Sequence, residues 1–234
     1  MNWPVLVIVL GMGGALVLLW SRLVKARRAE LIRDYTLPPG LFEKLRKKRP
    51  ELTLKDCQLV GHALRQFFLV YLKSGCRYVS MPSQVVDDLW HEFILYTRNY
   101  ETFCRRAFGG FLHHTPAVVL STARPQNEGL RRCWWFACRE EDINPRRATR
   151  LPLLFAIDRK LGIKDGFVYF ADCGKQRDAL AEVSASVHCG GDFQSASYDG
   201  GTAGFGDSGS DGGGTFGGGG SGDSGCSGGC GGGD

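Results

Sequence analysis

The sequence lacks the closely spaced residue pairs that mark common catalytic and zinc-binding sites. It contains neither a CxxC nor an HExxH motif, so no sequence signature identifies a catalytic residue. Its nine cysteines are odd in number and irregularly spaced, which disfavours a secreted disulfide framework and favours reduced thiols in a cytoplasmic protein. A GxGxxG match at Gly204–Gly209 follows no strand and opens no helix, so it does not indicate a nucleotide-binding loop.

Basic residues are missing from the last quarter of the chain. All 29 Lys and Arg lie at or before Arg177, and eight acidic residues follow. From Gly190 onward, 21 of the 45 residues are glycine, with Ser and Asp making up most of the rest. A segment of this composition cannot form a core. We therefore predict a disordered, glycine-rich C-terminal tail over residues 188–234, behind a basic body.

Charge is also absent from Trp3–Trp20, an eighteen-residue run rich in Val and Leu and bracketed by tryptophans. Such a run is long enough to span a membrane. The alternative is a cleavable signal peptide, which would need positive charge before the run and small residues at a cleavage site, and neither is present. We predict an uncleaved single-pass anchor over residues 1–21. Because the basic residues from Arg22 onward follow the run, the N-terminus is expected outside and the remaining chain in the cytoplasm.

Residues 22–50 are predicted to be a basic juxtamembrane linker, broken at Pro38 and Pro39. Near a cytoplasmic leaflet each basic side chain could contribute about 1 kcal/mol of attraction to anionic lipid. The same charges could instead act only as a topology signal and a solubilising linker, and both interpretations stay open. The candidate lipid-contacting residues are Lys44, Arg46, Lys47, Lys48 and Arg49. No recognised nucleic-acid-binding motif accompanies the basic body, so nucleic acid is not predicted as a partner.

Apolar residues at three- and four-residue spacing predict one compact helical domain over residues 51–187. Thr53 followed by Asp56 is a helix-start signature. Pro82 suits the first turn of a second helix with Ser80 as its cap, and glycines end that helix. The predicted fold class is mainly α, with at most a short β segment. The predicted helices span residues 53–73, 82–108, 128–140 and 152–161, and the short strand lies within 166–170.

The best candidate polar site lies in and after the second of these helices. Asp87 and Asp88 precede His91 by four and three residues, so either carboxylate could hold its imidazole from the previous turn. His113 and His114 follow the glycine stop on a segment expected to fold back onto the helix. One interpretation is a divalent-metal site formed by these five residues. The other is a structural polar cluster of Trp90, His91 and Cys104, with His91 hydrogen-bonded to aspartate.

The segment Val86–His91, with Tyr100, Cys104, Gly109 and His113 downstream, resembles the glycine-rich domain-containing protein family of plants and bacteria. The resemblance covers about Leu52 to Cys173. It implies no established enzymatic activity, and plant members are linked to growth and stress responses. Thr115 and Pro116 follow the histidine pair where the plant pattern has another acidic residue, which weakens a shared metal site.

We expect a membrane-anchored cytoplasmic helical module that binds a protein partner. This expectation rests on a well-patterned core without a complete catalytic signature. The alternative is a metal-dependent hydrolase that uses a site at His91 and His113.

Overall fold

A twenty-residue helix, α3, lies at the centre of the fold in the computed structural model, which describes residues 3–114, 126–171 and 187–189. Thr53 caps α3 as predicted: its hydroxyl accepts from the Asp56 amide at 3.2 Å, and the Asp56 carboxylate accepts from the Thr53 amide at 2.9 Å. The mainly helical class is confirmed. The helices are α1 (Trp3–Arg33), α2 (Leu41–Lys48), α3 (Leu54–Lys73), α4 (Gln84–Ile94), α5 (Thr97–Phe108), α6 (Gln126–Glu140) and α7 (Leu153–Lys160), and the strands are β1 (Val168–Phe170) and β2 (Val187–Cys189).

α3 packs against α1, α2, α4, α6 and α7. Its second half is buried on almost every side, and Phe67 and Phe68 are at most 1% exposed. Phe68 lies 4.8 Å from Phe103 of α5 and 6.2 Å from Trp90 of α4, measured between ring centroids. The core is therefore built around one aromatic-rich helix surrounded by the others.

α1 contains a segment, Val7–Arg33, that is long and apolar enough to cross a membrane. The helix does not stop at residue 21, where the predicted anchor ends, but continues without a break to Arg33. Near its C-terminal end, Ala29 and Ile32 are buried in the domain core. The membrane-type segment and the domain thus share one continuous helix.

The predicted linker over residues 22–50 is largely part of the packed domain. α2 lies within it and buries Leu41 and Leu45 completely, at 1% and 0% exposure. Two leucines four residues apart fall on one helix face. Sequence analysis missed this helix because lysines and arginines surround those few apolar residues. The core accordingly begins at Ala29.

The predicted continuous helix over residues 82–108 is wrong in two respects. α4 starts within two residues of the predicted position, but its cap is Ser83 rather than Ser80, and the Ser83 hydroxyl accepts from the Val86 amide at 3.2 Å. The helix then breaks at Leu95 and Tyr96, where Tyr96 has a non-helical ψ of 60°. α4 and α5 are therefore separate helices.

Tertiary contacts hold this break, since neither glycine nor proline occupies it. The Tyr96 hydroxyl donates to the Pro39 carbonyl at 3.2 Å, and the Lys44 ammonium lies 4.6 Å from the Tyr96 ring centroid. The change of direction brings Phe103 of α5 to 4.5 Å from Tyr35, measured between ring centroids. A break fixed by distant residues leaves no signal in local periodicity.

The C-terminal part of the domain follows the predicted order. α6 and α7 occupy the predicted positions within two residues, and β1 lies in the predicted short strand. β1 pairs in parallel with β2, with Val168 opposite Val187 and Phe170 opposite Cys189. β2 crosses the boundary predicted between residues 187 and 188, so strand pairing extends into the predicted tail. The predicted disorder from residue 190 onward lies outside the described residues.

Candidate functional site

α4 carries the candidate site, and a buried carboxylate from α7 holds its N-terminal end. Asp158, 2% exposed, accepts from the Ser83 hydroxyl at 2.7 Å and from the Gln84 and Val85 amides at 2.7 and 3.2 Å. It also accepts from the Phe167 amide at 3.0 Å. A carboxylate at a helix N-terminus satisfies free N–H groups and complements the helix dipole. This anchor fixes the position of Asp87 and His91 one turn and two turns later.

Three side chains meet beside the middle of α4. Asp87 and His91 lie on successive turns, and His114 comes from the segment after α5. His114 Nε2 lies 3.0 Å from Asp87 Oδ1, and His91 Nδ1 lies 3.4 Å from Asp87 Oδ2. The two imidazole ring centroids are 4.2 Å apart. We call these three residues the Asp–His–His cluster; one potential ligand atom from each lies within 4.8 Å of the other two.

The backbone fixes the tautomer of His91. Its Nδ1 lies 2.8 Å from the carbonyl oxygen of Asp87, which only accepts hydrogen bonds. Nδ1 therefore carries a proton and Nε2 is left with a lone pair in the neutral ring. A hydrogen bond to one ring nitrogen that leaves the other as a potential ligand is the usual arrangement around metal-binding histidines.

A buried hydrogen-bond chain positions the segment that carries His114. The Trp90 indole N–H donates to the Tyr100 hydroxyl at 3.1 Å, and that hydroxyl donates to the Leu112 carbonyl at 2.6 Å. Gly109 ends α5 in the left-handed conformation at φ 80°, as the sequence predicted, and allows the chain to turn back. His114 then packs edge-on against Trp90, with 4.6 Å between ring centroids.

Tyr100 is the functional residue that sequence analysis missed. Burial raises the pKa of its hydroxyl, so the group stays protonated and donates to Leu112. Sequence analysis names Tyr100 only among the residues of the family resemblance, and the apolar spacing of the predicted helix gives it a core position. The spacing of ten residues between Trp90 and Tyr100 does not by itself predict the hydrogen bond between them.

The three residues of the predicted structural polar cluster, Trp90, His91 and Cys104, do not lie together: Cys104 is in the buried core and His91 is at the surface. Cys104 is buried, and its thiol lies beside the Tyr100 side chain and the Leu112 backbone. Burial raises the pKa of this thiol, which favours its neutral form. Trp90 contacts both Tyr100 and His114, whereas His91 lies with Asp87 at the surface. Trp90 is therefore the residue that links the two parts.

The structure does not bring Asp88 and His113 into the predicted metal site. Asp88 points toward α2, where it is 2.6 Å from Lys48 and 2.8 Å from Arg49. His113 is exposed and packs on Phe111, with 4.7 Å between ring centroids. Helix geometry would allow either aspartate to reach His91, but the cations of Lys48 and Arg49 hold Asp88 on the α2 side and leave Asp87 beside the imidazole. The two histidines of the pair likewise point apart on an extended segment.

The predicted lipid-contacting residues lie on the α2 side of the domain. Lys48 and Arg49 pair with Asp88, and Arg49 is bonded to both oxygens of Asp165. The hydrogen bonds that Arg49 donates to Asp165 outweigh burial and raise the pKa of the Arg49 guanidinium. Arg46 donates to the Leu52 carbonyl at 3.2 Å, and Lys44 lies 3.9 Å from Glu92. Lys47 is exposed.

The basic cluster is also at the opposite end of α3 from the point where α1 joins the domain. Burial raises the pKa of Cys57, near the start of α3, and the nearby charge of Arg46 partly offsets this rise. Burial also raises the pKa of Cys76, just after the end of α3, and there the nearby charge of Arg28 partly offsets the rise. The twenty residues of α3 separate these ends by about 30 Å. This geometry disfavours lipid contact by residues 44–49, which remains a prediction.

The donor set of the Asp–His–His cluster fits a divalent transition metal. Two imidazole nitrogens favour zinc, iron or a similar ion over magnesium and calcium, which prefer oxygen. His91 has 47% of its side chain exposed, Asp87 23% and His114 14%, so the cluster is open on one side. Three protein ligands with an open side are typical of sites that bind a further water or substrate.

Comparison with known proteins identifies one family. The chain matches the family model described as UCP032817-like over residues 27–193. None of the curated proteins and none of the solved structures matches it. The matched residues begin just before the part of α1 that enters the core and extend beyond β2. They make up well over half of the 234 residues, so this chain belongs to the UCP032817-like family.

Proposed function

We propose that this protein is a single-pass, membrane-anchored module whose helical domain binds a protein partner on the cytoplasmic side of the membrane. The observation that carries the proposal is the continuity of α1. Residues 7–20 carry an exposed apolar surface, and Ala29 and Ile32 in the last turns are buried in the domain core. A signal peptide would be removed from the mature chain, and the continuity of the apolar helix with the folded domain supports an uncleaved anchor instead.

The end of α1 is bound to three other helices. Arg28 donates to the Phe108 carbonyl of α5 at 3.2 Å. Arg33 lies 2.7 Å from Glu140 of α6, which also pairs with Lys73 of α3. Only about 17 Å of helix separates Arg22 from Arg33. The domain is therefore held close to the end of the apolar segment in a fixed orientation, as a membrane-proximal interaction module requires.

The buried carboxylates support a binding role over catalysis. Asp88 and Asp158 are each at most 2% exposed, and both are fully engaged by cations or N–H groups. Groups satisfied in this way stabilise the fold and are not available as general acids or bases. In the described part of the chain, the Asp–His–His cluster is a group of potential ligand atoms that remains partly open to solvent.

A metal-dependent hydrolase is the second candidate function, and the Asp–His–His cluster favours it. The pairing expected from sequence, His91 with His113, is replaced by His91 with His114. A divalent ion held by three ligands supplies a position for water or substrate, which is the chemistry of metal-dependent hydrolases. Kinship with the glycine-rich domain-containing proteins remains a further proposal, since it rests on the motif around Val86–His91.

Orientation in the membrane tests the anchor. An epitope at the C-terminus of the full chain should resist protease in intact cells and be cleaved after permeabilisation, because the charges following the apolar run retain the domain inside. Replacing Arg22, Lys25 and Arg27 with Gln should increase the fraction of inverted chains. The matched control replaces the exposed Arg98, Arg105 and Arg147 with Gln and should leave the orientation unchanged. An extracellular domain in the unaltered chain would refute the cytoplasmic assignment.

Crosslinking in native membranes tests the interaction. A photoreactive residue on the exposed surface of the full chain should capture a small, reproducible set of proteins. The comparison is the same chain with its photoreactive residue at Met12, within the apolar segment. Capture that never exceeds background at any surface position would contradict the module.

A further inference from the structure

We propose that Asp87, His91 and His114 bind one divalent first-row transition-metal ion through two imidazole nitrogens and one carboxylate. This site goes beyond the anchored module and does not depend on it. The hydrolase candidate, in contrast, requires it.

The spacing of the three side chains is close to that of a metal site. Their potential ligand atoms lie within 4.8 Å of one another. In a tetrahedral shell with bonds of about 2.1 Å, ligand atoms are separated by roughly 3.4 Å. The 3.0 Å separation of His114 Nε2 and Asp87 Oδ1 is already shorter than this. His91 is exposed, so its ring can rotate to bring Nε2, the nitrogen with the lone pair, to the ion.

One carboxylate faces two imidazoles, which an ordinary structural hydrogen bond does not require. Asp87 directs one oxygen to His114 and the other toward His91, and the two rings are 4.2 Å apart. A single histidine would be enough to satisfy a structural aspartate. The second ring gives the cluster the composition of two histidines and one carboxylate found in zinc and non-haem iron sites.

Contacts other than those between the potential ligand atoms already hold these side chains in place. The Asp87 carbonyl accepts from His91 Nδ1, and Trp90 packs on the His114 ring. The bond from Tyr100 to the Leu112 carbonyl fixes the chain two residues before His114. Such supporting contacts reduce the conformational entropy that an ion must overcome and orient the nitrogens toward it.

The test uses the full chain, purified in detergent with an affinity tag that contains no histidine. Elemental analysis and titration of the metal-depleted protein with Co²⁺ are read together. We expect one saturable site per chain, and the visible absorption of Co²⁺ reports nitrogen ligation. Zinc, iron or manganese in the purified protein identifies the native ion.

Substitutions identify the ligands. His91→Ala and His114→Ala should each weaken Co²⁺ binding by at least the ~10–100-fold that follows loss of a supporting partner alone. His113→Ala, next in sequence but outside the cluster, and His62→Ala, an exposed histidine of α3, are matched controls that should bind normally. Circular dichroism verifies folding. Because His91 lies at the surface, His91→Ala should remain folded, and its Co²⁺ affinity decides the test if His114→Ala unfolds.

Absence of both co-purified metal and saturable Co²⁺ binding would overturn the proposal. Binding that survives His91→Ala, or that His113→Ala weakens equally, would also overturn it. Neither result would bear on the anchored module, since orientation and crosslinking are measured without metal.

Discussion

Asp158 shows how a single buried carboxylate organises the part of the molecule that carries the Asp–His–His cluster. It accepts hydrogen bonds from the Ser83 hydroxyl and from the Gln84, Val85 and Phe167 amides. One side chain thereby joins α7, the start of α4 and the approach to β1. Removing an acceptor at such a position leaves buried donors without partners, which costs more than the bonds themselves contribute.

Asp158→Ala should lower the free energy of unfolding by about 3 kcal/mol, because its loss leaves several donors unsatisfied in the interior. Urea unfolding of the detergent-solubilised chain, followed by circular dichroism, measures the change. Asp56→Ala is the control: it removes an acidic group from the partly exposed start of α3 and should cost about 1 kcal/mol. Equal losses for the two variants would show that burial of Asp158 has no special effect.

Glu140 predicts a specific dependence of stability on pH. Burial would raise its pKa, but hydrogen bonds from Lys73 and Arg33 outweigh burial and hold the pKa below the usual value. A depressed carboxyl pKa stabilises the fold above the pKa of the unfolded chain, and this contribution is lost as pH falls through the folded-state pKa. Glu140→Gln should therefore lower stability by about 1 kcal/mol at neutral pH, since its cationic partners are partly exposed.

Urea unfolding at a series of pH values tests this expectation. The difference between the unaltered chain and Glu140→Gln should shrink as pH falls below the usual range of a glutamate. Glu101→Gln is the matched control, because Glu101 forms an exposed pair with Arg105 on a single helix. A difference for Glu140→Gln that stays constant to low pH would contradict the assigned pKa direction.

At the scale of elements, sequence patterns predict helices that carry their own start signals and apolar faces. α3 has Thr53 and Asp56 at its start and a broad apolar face, and α7 begins after Pro152. α2 has two buried leucines among basic residues, so its pattern is recognisable only beside the neighbours that cover it. The break at Tyr96 depends on a carbonyl 57 residues away in the chain. Local periodicity contains neither contact.

The same distinction applies to the candidate site. Asp87 and His91 were predicted to meet because their spacing places them on successive turns of one helix. The choice of His114 over His113 depends on the hydrogen bond between Tyr100 and Leu112, which fixes how the returning segment is oriented. Which aspartate was available also depended on tertiary structure, since α2 supplies the cations that engage Asp88.

Tyr100→Phe tests that hydrogen bond. Loss of the hydroxyl leaves the Trp90 N–H and the Leu112 carbonyl without their partner, so stability should fall by about 2 kcal/mol. If the proposed metal site exists, affinity for Co²⁺ should also fall about 10-fold, because His114 loses its support. Tyr96→Phe is the control, since its hydroxyl bond to Pro39 lies at the exposed side and away from the cluster. An unchanged Co²⁺ affinity together with reduced stability would show that Tyr100 stabilises the core but does not support metal binding.

Gly129 tests the contact between α6 and the chain that precedes α4. A Cβ at this position would lie 2.4 Å from both Ser80 Oγ and Tyr78 Cε1, and 2.9 Å from the Ser80 amide nitrogen. Helix propensity favours alanine by about 1 kcal/mol, but the clash includes backbone and should dominate. Gly129→Ala should therefore destabilise the chain by about 1–3 kcal/mol in urea unfolding. Gly110→Ala, where a Cβ meets nothing within 4 Å, should be nearly neutral.

At the scale of the whole molecule, the junction between α1 and the domain determines what faces the membrane. The Arg28 guanidinium donates to the Phe108 carbonyl. It also lies next to Gly109, where an added Cβ would be 2.9 Å from it. The end of α5 therefore lies next to the part of α1 that follows the apolar segment. The start of α3 lies about 30 Å away along that helix.

A continuous α1 predicts that these two ends remain at different heights above the lipid. A fluorescent non-natural residue at Gly110 should be quenched strongly by a headgroup-attached quencher in proteoliposomes, and the same residue at Lys55 should be quenched weakly. Inserting Gly-Ser-Gly-Ser between Leu23 and Val24 should reduce the difference, because a flexible joint lets the domain tumble relative to the span. The same insertion directly after Gly162, outside α1 and away from both probe positions in sequence, is the control and should preserve it. Equal quenching at both positions in the unaltered chain would show that α1 does not hold the domain in the orientation on which the anchored module depends.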